Sequence, residues 1–126
     1  DRIREDLGSA GYNPSAVPQP AVQNATSTSV QFITDADNDN ISDLVQYDRD
    51  AGTRTIRRSV RPWNGAAWGT ASVTTVARNI EGLTFAYSPS AGAPKRIQII
   101  ITTSLQVPAI GNQEHQVTTS VFLRNL

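Results

Sequence analysis

The chain contains 126 residues, of which 38% are hydrophobic and 17% are charged; this suits one folded domain and argues against a disordered tail or a membrane span. Its eleven lysines and arginines balance eleven aspartates and glutamates, so nucleic acid is not expected as a partner. There is no cysteine and only one histidine, which excludes thiol nucleophiles, disulfides and cysteine-based metal sites and disfavours an enzyme.

The charges are segregated along the chain although they cancel overall. Residues 35–50 contain six aspartates and one arginine, whereas residues 51–78 contain five arginines and no acidic residue. Such asymmetry indicates either a cation site or an electrostatic docking surface. Alternatively, the two blocks are neighbouring strands whose side chains neutralise each other. The sequence leaves both interpretations open.

The first periodic segment lies at the N-terminus. Ile3, Leu7 and Ala10 follow an i, i+4, i+7 spacing with charged residues between them, which predicts an amphipathic helix over residues 1–11. The pattern begins at the first residue without a cap, so we expect the natural helix to start earlier. Residues 12–28 contain three prolines among small and polar residues, and this composition predicts a long loop.

Beyond residue 28 the hydrophobic period changes to two. Apolar and polar side chains alternate in stretches centred near Val30, Val45, Ile56, Phe85, Ile99 and Val121. This alternation predicts an antiparallel sheet with one solvated face, and Asn64-Gly65 predicts a tight turn between Trp63 and Trp68. We therefore predict a single α+β domain over residues 1–126. In it the end of a long N-terminal helix packs on the antiparallel β-sheet of residues 29–126, and a Pro-rich loop joins them.

The strongest local motif is the sequence Asp-Ala-Asp-Asn-Asp-Asn-Ile-Ser-Asp of residues 35–43. Calcium binds six to eight oxygens, and Asp35, Asp37 and Asp39 stand at positions 1, 3 and 5 of a loop that can curl around it. Ile41 at position 7 offers its backbone carbonyl, and Asp43 at position 9 offers a carboxylate, directly or through water. The spacing predicts a structural Ca²⁺ site with a dissociation constant on the order of 10⁻⁴ to 10⁻³ M.

This motif departs from an EF-hand at two positions. Asn40 stands where the EF-hand has glycine, although Asn tolerates left-handed backbone better than most residues. Gln46 stands where the EF-hand has its bidentate glutamate, so Asp48 or Asp50 is a candidate for a remaining ligand. The alternative is a polar turn in which Asp and Asn side chains cap backbone groups and bind no ion.

Three other groups of residues carry weaker signals. His115 lies in a polar stretch without a catalytic motif, and we expect it on the solvated surface. The aromatic residues form either a sugar-binding platform or part of a small core; they are Trp63, Trp68, Tyr47 and Tyr87. The clustered arginines form either an anion-binding or partner-docking patch or a solvated strand face; they are Arg54, Arg57, Arg58 and Arg61.

Several segments, taken in order, resemble one family. Residues 4–14, Arg-Glu-Asp-Leu-Gly-Ser-Ala-Gly-Tyr-Asn-Pro, are similar to the helix end of PilW-type minor pilins and related type II secretion pseudopilins. Gly8 departs from the basic residue usual in that family, and the chain lacks the disulfide that many pilins carry. The Asp-rich turn also has a counterpart in the family. The other matching segments are residues 30–32, 44–47, 55–58, 78–87 and 118–125.

The resemblance implies a bacterial filament subunit. Such proteins are made with a leader that a prepilin peptidase removes, followed by a long hydrophobic helix that anchors them in the inner membrane and later packs in the filament core. Residues 1–11 would be the end of that helix, and the remainder a pilin-like globular head. The implied partners are other minor and major pilin subunits. The implied location is the inner membrane and periplasm before assembly, then a pilus or pseudopilus at the cell surface.

The implied role is structural, in assembly or tip formation of a type IV pilus or type II secretion pseudopilus, with no catalytic residues. One alternative is a calcium-dependent extracellular carbohydrate-binding or adhesion module that uses the aromatic residues beside the Asp-rich turn. Another is a hydrolase with a pair of carboxylates, which we do not favour because the acidic residues are concentrated in one turn rather than paired across a cleft.

Overall fold

The computed structural model describes residues 2–91, 94–107 and 111–123. Within these ranges the chain forms one helix, α1 (Arg2–Gly8), and eight strands. The strands are β1 (Val22–Ala25), β2 (Ser29–Thr34), β3 (Asp43–Asp50), β4 (Thr55–Pro62), β5 (Ser72–Ala77), β6 (Ile80–Ser88), β7 (Arg96–Val107) and β8 (Gly111–Phe122).

The strands divide into two antiparallel sheets. The first sheet has five strands in the order β1-β2-β3-β4-β5, and the second has three strands in the order β6-β7-β8. Each strand pairs with its neighbour in sequence within its own sheet. Both sheets are therefore meanders, built from short connections that antiparallel strands allow.

One hydrophobic core joins the two sheets. Alternate residues of the central strands point into it because successive side chains of a strand face opposite sides of the sheet. The first sheet contributes Phe32 and Tyr47, whose rings stack with centroids 6.4 Å apart. The second contributes Phe85, Ile97 and Ile99, each at most 2% exposed. The two meanders thus stabilise each other through one shared apolar layer.

The predicted α+β fold class is wrong. Strands account for 56% and helix for 6% of the structure, which consists of two antiparallel sheets and one short helix rather than a long helix packed on one sheet. The helix ends at Gly8 because Ser9–Gly11 form a turn, with a φ of 95° at Gly11. After that turn the chain is rich in β-branched residues, which favour strands.

Helix α1 nevertheless packs against the core as its spacing predicts. Ile3, Leu7 and Ala10 are all buried in the core that both sheets share. Asp6 is also buried, and its Oδ2 accepts hydrogen bonds from the Tyr47 hydroxyl at 2.6 Å and from Nε of Arg58 at 2.7 Å. The helix is therefore tied to β3 and β4 by a buried polar network as well as by apolar contacts.

The alternating patterns located six of the eight described strands and missed β1 and β5, the two edge strands of the first sheet. The predicted strands near Val30, Val45 and Ile99 are confirmed, and Trp63 forms an antiparallel bridge to Trp68 across the predicted turn. Residues 22–25, in the predicted loop of residues 12–28, instead form β1 and pair with β2. The last two residues of the predicted motif 118–125 and the first of the predicted helix 1–11 lie outside the described residues.

Candidate metal centre

The acidic motif lies in the connection between β2 and β3. Thr34 at the end of β2 pairs with Asp43 at the start of β3, so the sheet closes the base of the loop. Asn38 and Asn40 have φ values of 59° and 65°, in the left-handed region that Asn tolerates. Asn40 thus has the left-handed backbone at the loop position where an EF-hand has glycine. We refer to residues 35–43 as the aspartate loop.

The aspartate loop brings four carboxylates together. One carboxylate oxygen from each of Asp35, Asp37, Asp39 and Asp43 lies within 4.8 Å of the others. Two oxygens bound to the same Ca²⁺ at 2.3–2.6 Å are at most about 5 Å apart, so this spacing is compatible with a shared ion. The four aspartates that the sequence singles out therefore form a cluster that could hold a metal ion.

Backbone capping accounts for two of these carboxylates. Asp35 accepts hydrogen bonds from the amides of Asp39 at 3.2 Å and Asn40 at 2.8 Å. Asp39 accepts one from the amide of Ile41 at 2.9 Å. These are the contacts that a polar turn makes without an ion. Asp35 and Asp39 thus cap backbone amides, and the case for a cation depends on the other two carboxylates.

Asp43 is the carboxylate that capping does not explain. Its side chain is 1% exposed, and its Oδ2 accepts a hydrogen bond from the amide of Ala36 at 2.9 Å. Its Oδ1 is buried and has no hydrogen-bond partner. Burial raises the pKa of Asp43 to about 6, the Ala36 amide opposes that shift, and the charges of Asp37 and Asp39 add to it. A buried carboxylate oxygen without a partner is unfavourable unless a proton or a cation compensates it.

The pKa values of Asp37 and Asp39 shift in opposite directions. Desolvation raises the pKa of Asp37, and the neighbouring Asp39 carboxylate raises it further through a shared hydrogen bond and charge repulsion. The Ile41 amide lowers the pKa of Asp39, and the hydrogen bond with Asp37 lowers it further. Two carboxylates this close cannot both be charged without a penalty, so a divalent cation would relieve the repulsion.

A cavity of about 400 Å³ lies beside the cluster. Asp37 and Asp43 line it from the aspartate loop, and Arg58 lines it from β4. Thr70 and Ser72 also line it, and Ala36, Val60 and Pro62 add apolar lining. A cavity of this size has room, next to its charged residues, for the water molecules that Ca²⁺ keeps when the protein supplies only some of its ligands.

The other acidic candidates do not join the cluster. Asp48 bonds to Gln46 and Arg57 within the sheet. Asp50 accepts from Gly52 and Thr53 in the turn after β3. Within the described residues the cluster contains neither of them, so the expectation that Asp48 or Asp50 completes the site is not met.

The arginine block is largely neutralised within the protein. The side chain of Arg57 lies beside its cross-strand partner Asp48, at 3.2 Å, and within 3.9 Å of Asp50. Arg54 forms an ion pair with Glu81. The side chain of Arg58 is largely buried beside Asp6; burial lowers the pKa of the Arg58 guanidinium, but Asp6 and Tyr47 together outweigh this and raise the pKa. Arg57 on β4 thus neutralises aspartates of the acidic block on β3, as one of the two predicted interpretations states, whereas Arg54 and Arg58 pair with acidic residues outside that block.

The aromatic residues pack rather than form an open platform. Tyr47 is fully buried, and the Tyr87 hydroxyl donates to the backbone carbonyl of Thr26 at 2.7 Å. The rings of Trp63 and Trp68 meet edge to face at 5.0 Å and pack against a small cluster of Val17, Ile33 and Leu44. His115 is exposed on β8, as predicted.

Local sequence patterns did not predict the two buried residues that hold the ends of the aspartate loop. Thr34 and Ser42 immediately precede Asp35 and Asp43, are at most 1% exposed, and bond to the segment that follows α1. Their partners are 25 to 27 residues away in the chain. No local spacing predicts such contacts, because they depend on how β2 and β3 sit beside the turn after α1.

No protein-family model, curated protein or solved structure matches this chain. No helix in the described part of the chain is long and apolar enough to span a membrane.

Proposed function

We propose that this chain is a non-enzymatic structural subunit whose aspartate loop binds Ca²⁺. The observation that carries the proposal is Oδ1 of Asp43, a buried carboxylate oxygen without a partner, in a residue whose carboxylate meets three others within 4.8 Å. A cation bound by all four would compensate the buried charge and remove the repulsion among the carboxylates.

Calcium suits this site better than other common cations. The cluster offers oxygen ligands only, which favours hard ions, and the chain has no cysteine to attract softer metals. Asp35, Asp37 and Asp39 lie in the bent connection between β2 and β3, and Asp43 lies at the start of β3; Ca²⁺ accepts such irregular geometry, which Mg²⁺ does not. Asp35, Asp37, Asp39 and Asp43 would supply side-chain oxygens, Ile41 its backbone carbonyl, and water from the adjacent cavity the rest.

Thermal unfolding in excess Ca²⁺ and in chelator tests this proposal. We expect Ca²⁺ to raise the melting temperature, because a ligand that binds only the folded state stabilises it. Asp37→Ala should abolish that increase. Glu114→Ala removes an exposed acidic residue outside the cluster and should leave the increase intact. Identical melting curves of the unmodified chain in Ca²⁺ and in chelator would rule out the site.

The setting we propose for this subunit is a type IV pilus or type II secretion pseudopilus. Support comes from the ordered resemblance to minor pilins and from α1, whose apolar residues Ile3 and Leu7 are buried against the sheets. A helix held in this way could join a globular head to a filament core. Partners would then be other pilin subunits, contacted through the surfaces of the two sheets.

Mass spectrometry of the native protein's N-terminus tests the filament proposal independently of calcium. A methylated first residue, followed by about 20 apolar residues leading into Asp1, would support it, because that length crosses a bilayer. A conventional secretory cleavage close to Asp1 would contradict it. The calcium site could still exist in that case, since its test does not depend on the N-terminus.

A further inference from the structure

The two ends of the aspartate loop are both bonded to the segment that follows α1. We call residues 9–17 the docking segment. At the first end, the hydroxyls of Ser9 and Thr34 lie 2.7 Å apart, and the Gly11 amide donates to the carbonyl of Ile33 at 2.7 Å. The docking segment thus contacts the last residues of β2, directly before Asp35.

The second end of the loop is held by a reciprocal pair of hydrogen bonds. The Ser15 amide donates to the Ser42 hydroxyl at 3.0 Å, and the Ser42 amide donates to the Ser15 hydroxyl at 2.9 Å. The Ser42 hydroxyl also donates to Oδ1 of Asn13 at 2.6 Å. Ser42 is fully buried and immediately precedes Asp43, the aspartate with the unpartnered oxygen.

An apolar contact reinforces both sets of hydrogen bonds. Val17, at the end of the docking segment, packs with Ile33 and Leu44, which pair with each other across β2 and β3. Asn13 closes the segment on itself, because its side chain bonds to both the amide and the carbonyl of Val17. The docking segment is therefore one compact unit that sits against the base of the aspartate loop.

We propose that cation binding by the aspartate loop controls how firmly the docking segment, and with it α1, is held on the first sheet. This inference rests on the proposed Ca²⁺ site. Without an ion, repulsion among the four carboxylates pushes Asp35 and Asp43 apart. Thr34 and Ser42 are their direct chain neighbours, so the same displacement strains the hydrogen bonds to Ser9 and Ser15.

The coupling must act in both directions. If the ion strengthens the contacts of the docking segment, then those contacts strengthen ion binding by the same factor. In a subunit whose helix continues into a larger assembly, the ion would thereby fix the angle between helix and sheets. The occupied site would stabilise the junction between α1 and the two sheets.

Residue-resolved amide hydrogen exchange of the chain in Ca²⁺ and in chelator tests this inference. The informative amides are those of Gly11 and Ser15, which donate to Ile33 and Ser42. The reference is the amide of Phe85, which donates to Ser27 away from the loop. We expect Ca²⁺ to slow exchange at Gly11 and Ser15 by about tenfold more than at Phe85, within the usual range of coupling between sites.

The amide of Ile41, inside the loop, separates the two ways in which the experiment can fail. If Ca²⁺ leaves exchange at Ile41 unchanged, the proposed Ca²⁺ site is wrong and this inference falls with it. If exchange slows at Ile41 while Gly11 and Ser15 change no more than Phe85, the site stands and the coupling is overturned.

Serine variants test the reverse direction. Ser42→Ala keeps all four carboxylates but removes the hydroxyl that holds Ser15 and Asn13, so we expect about tenfold weaker Ca²⁺ binding by calorimetry. Ser15→Ala removes the reciprocal acceptor and should weaken binding in the same direction if Ser42→Ala does not fold. Ser120→Ala alters an exposed hydroxyl on β8 and serves as the control. Unchanged affinity in a folded Ser42→Ala or Ser15→Ala variant would overturn the coupling.

Discussion

At the scale of single residues, Asp43 has the most consequences for stability. It is buried at the first position of β3, and one of its oxygens has no partner. In the absence of a cation, the charged form of Asp43 is disfavoured in the folded state and not in the unfolded state, where water solvates it. The pKa of about 6 expresses that difference against an ordinary value of 3.8.

We expect the chain without Ca²⁺ to lose stability through Asp43 as the pH rises from about 4 to about 6. The folded state holds the Asp43 proton to a higher pH than the unfolded state, so the contribution is most favourable at low pH. Above pH 6 the loss is complete, at roughly 3 kcal/mol for a shift of about two pKa units. Urea unfolding in chelator between pH 3.5 and 7.5, compared with Asp43→Asn, isolates this contribution from that of other groups.

The expected difference in stability between Asp43→Asn and the unmodified chain depends on the pH. Asp43→Asn should match the unmodified chain near pH 3.5 and exceed its stability at pH 7.5. Equal stabilities across the whole range would mean that the carboxylate is not desolvated in the folded chain.

Asp43→Asn should also separate folding from ion binding. At neutral pH and in chelator we expect it to raise the melting temperature, because a neutral amide replaces a buried charge while its oxygen can still accept from Ala36. In excess Ca²⁺ the Asp43→Asn variant should not show the rise in melting temperature of the unmodified chain, because its cluster lacks the buried charged ligand. Scanning calorimetry in both conditions measures the two effects. A variant that is destabilised in chelator, or that retains the full response to Ca²⁺, would contradict this role of Asp43.

At the scale of elements, the buried network of Asp6, Tyr47 and Arg58 decides whether α1 stays docked. A helix of seven residues is too short to be stable alone, so its contacts must hold it. Asp6 pairs with Arg58 in a largely water-free setting, and the Tyr47 hydroxyl donates to the same oxygen. Burial, with the Asp6 carboxylate beside it, raises the pKa of Tyr47 well above its ordinary value, so the hydroxyl remains a donor.

Asp6→Ala should therefore destabilise the chain by about 3–5 kcal/mol, because it leaves the Arg58 guanidinium buried without its counter-charge. Tyr47→Phe removes one hydrogen bond to a charged group and should cost about 1.5–3 kcal/mol. Arg2→Ala is the matched control: its side chain is half-exposed and 3.7 Å from the same carboxylate, so it should cost less than about 1 kcal/mol. Urea unfolding gives all three values, and an Asp6→Ala cost as small as that of Arg2→Ala would contradict the network.

The same elements show what local patterns can predict. Alternation placed β2, β3 and β7 correctly because each has one face in the core, and burial imposes a period of two. The aspartate cluster was predictable because its four carboxylates fall within nine residues. The contacts of Asp6 with Tyr47 and Arg58 span 41 and 52 residues. They depend on the pairing of β3 with β4 and on the path of the chain after α1, which no local spacing encodes.

At the scale of the whole molecule, the division into two sheets is the feature that local patterns predicted least. The alternating stretches in β4 and β6 look alike in the sequence, yet β5 pairs with β4 while β6 starts a new sheet. The break falls at Arg78 and Asn79, where Asn79 has a φ of 58° and the chain turns away. The fold class was wrong because alternation shows where strands lie but not which neighbouring strands pair, so one sheet was expected where the chain forms two, and because the helix ends at Gly8.

Because one core joins the sheets, we expect them to unfold together. Ile99 of β7 is 1% exposed and belongs to the same cluster as Phe32 and Tyr47 of the first sheet. Ile99→Ala should destabilise the chain by about 2–5 kcal/mol through lost burial and a cavity. The indole rings of Trp63 and Trp68 pack on the first sheet, so their fluorescence reports on a sheet that does not contain the substitution. If the core is shared, the Ile99→Ala substitution should shift the unfolding transition seen by tryptophan fluorescence to a lower urea concentration, by the same amount as the transition seen by circular dichroism.

Val117→Ala provides the control within the second sheet. Val117 lies on β8 and is 55% exposed, so its truncation should change stability by less than about 0.5 kcal/mol. If Ile99→Ala lowered the circular dichroism transition and left the tryptophan transition in place, the two sheets would be separate folding units. Coincident transitions would instead mean that stabilisation of the first sheet by Ca²⁺ also protects the second, since a ligand that binds one part of a two-state protein stabilises all of it.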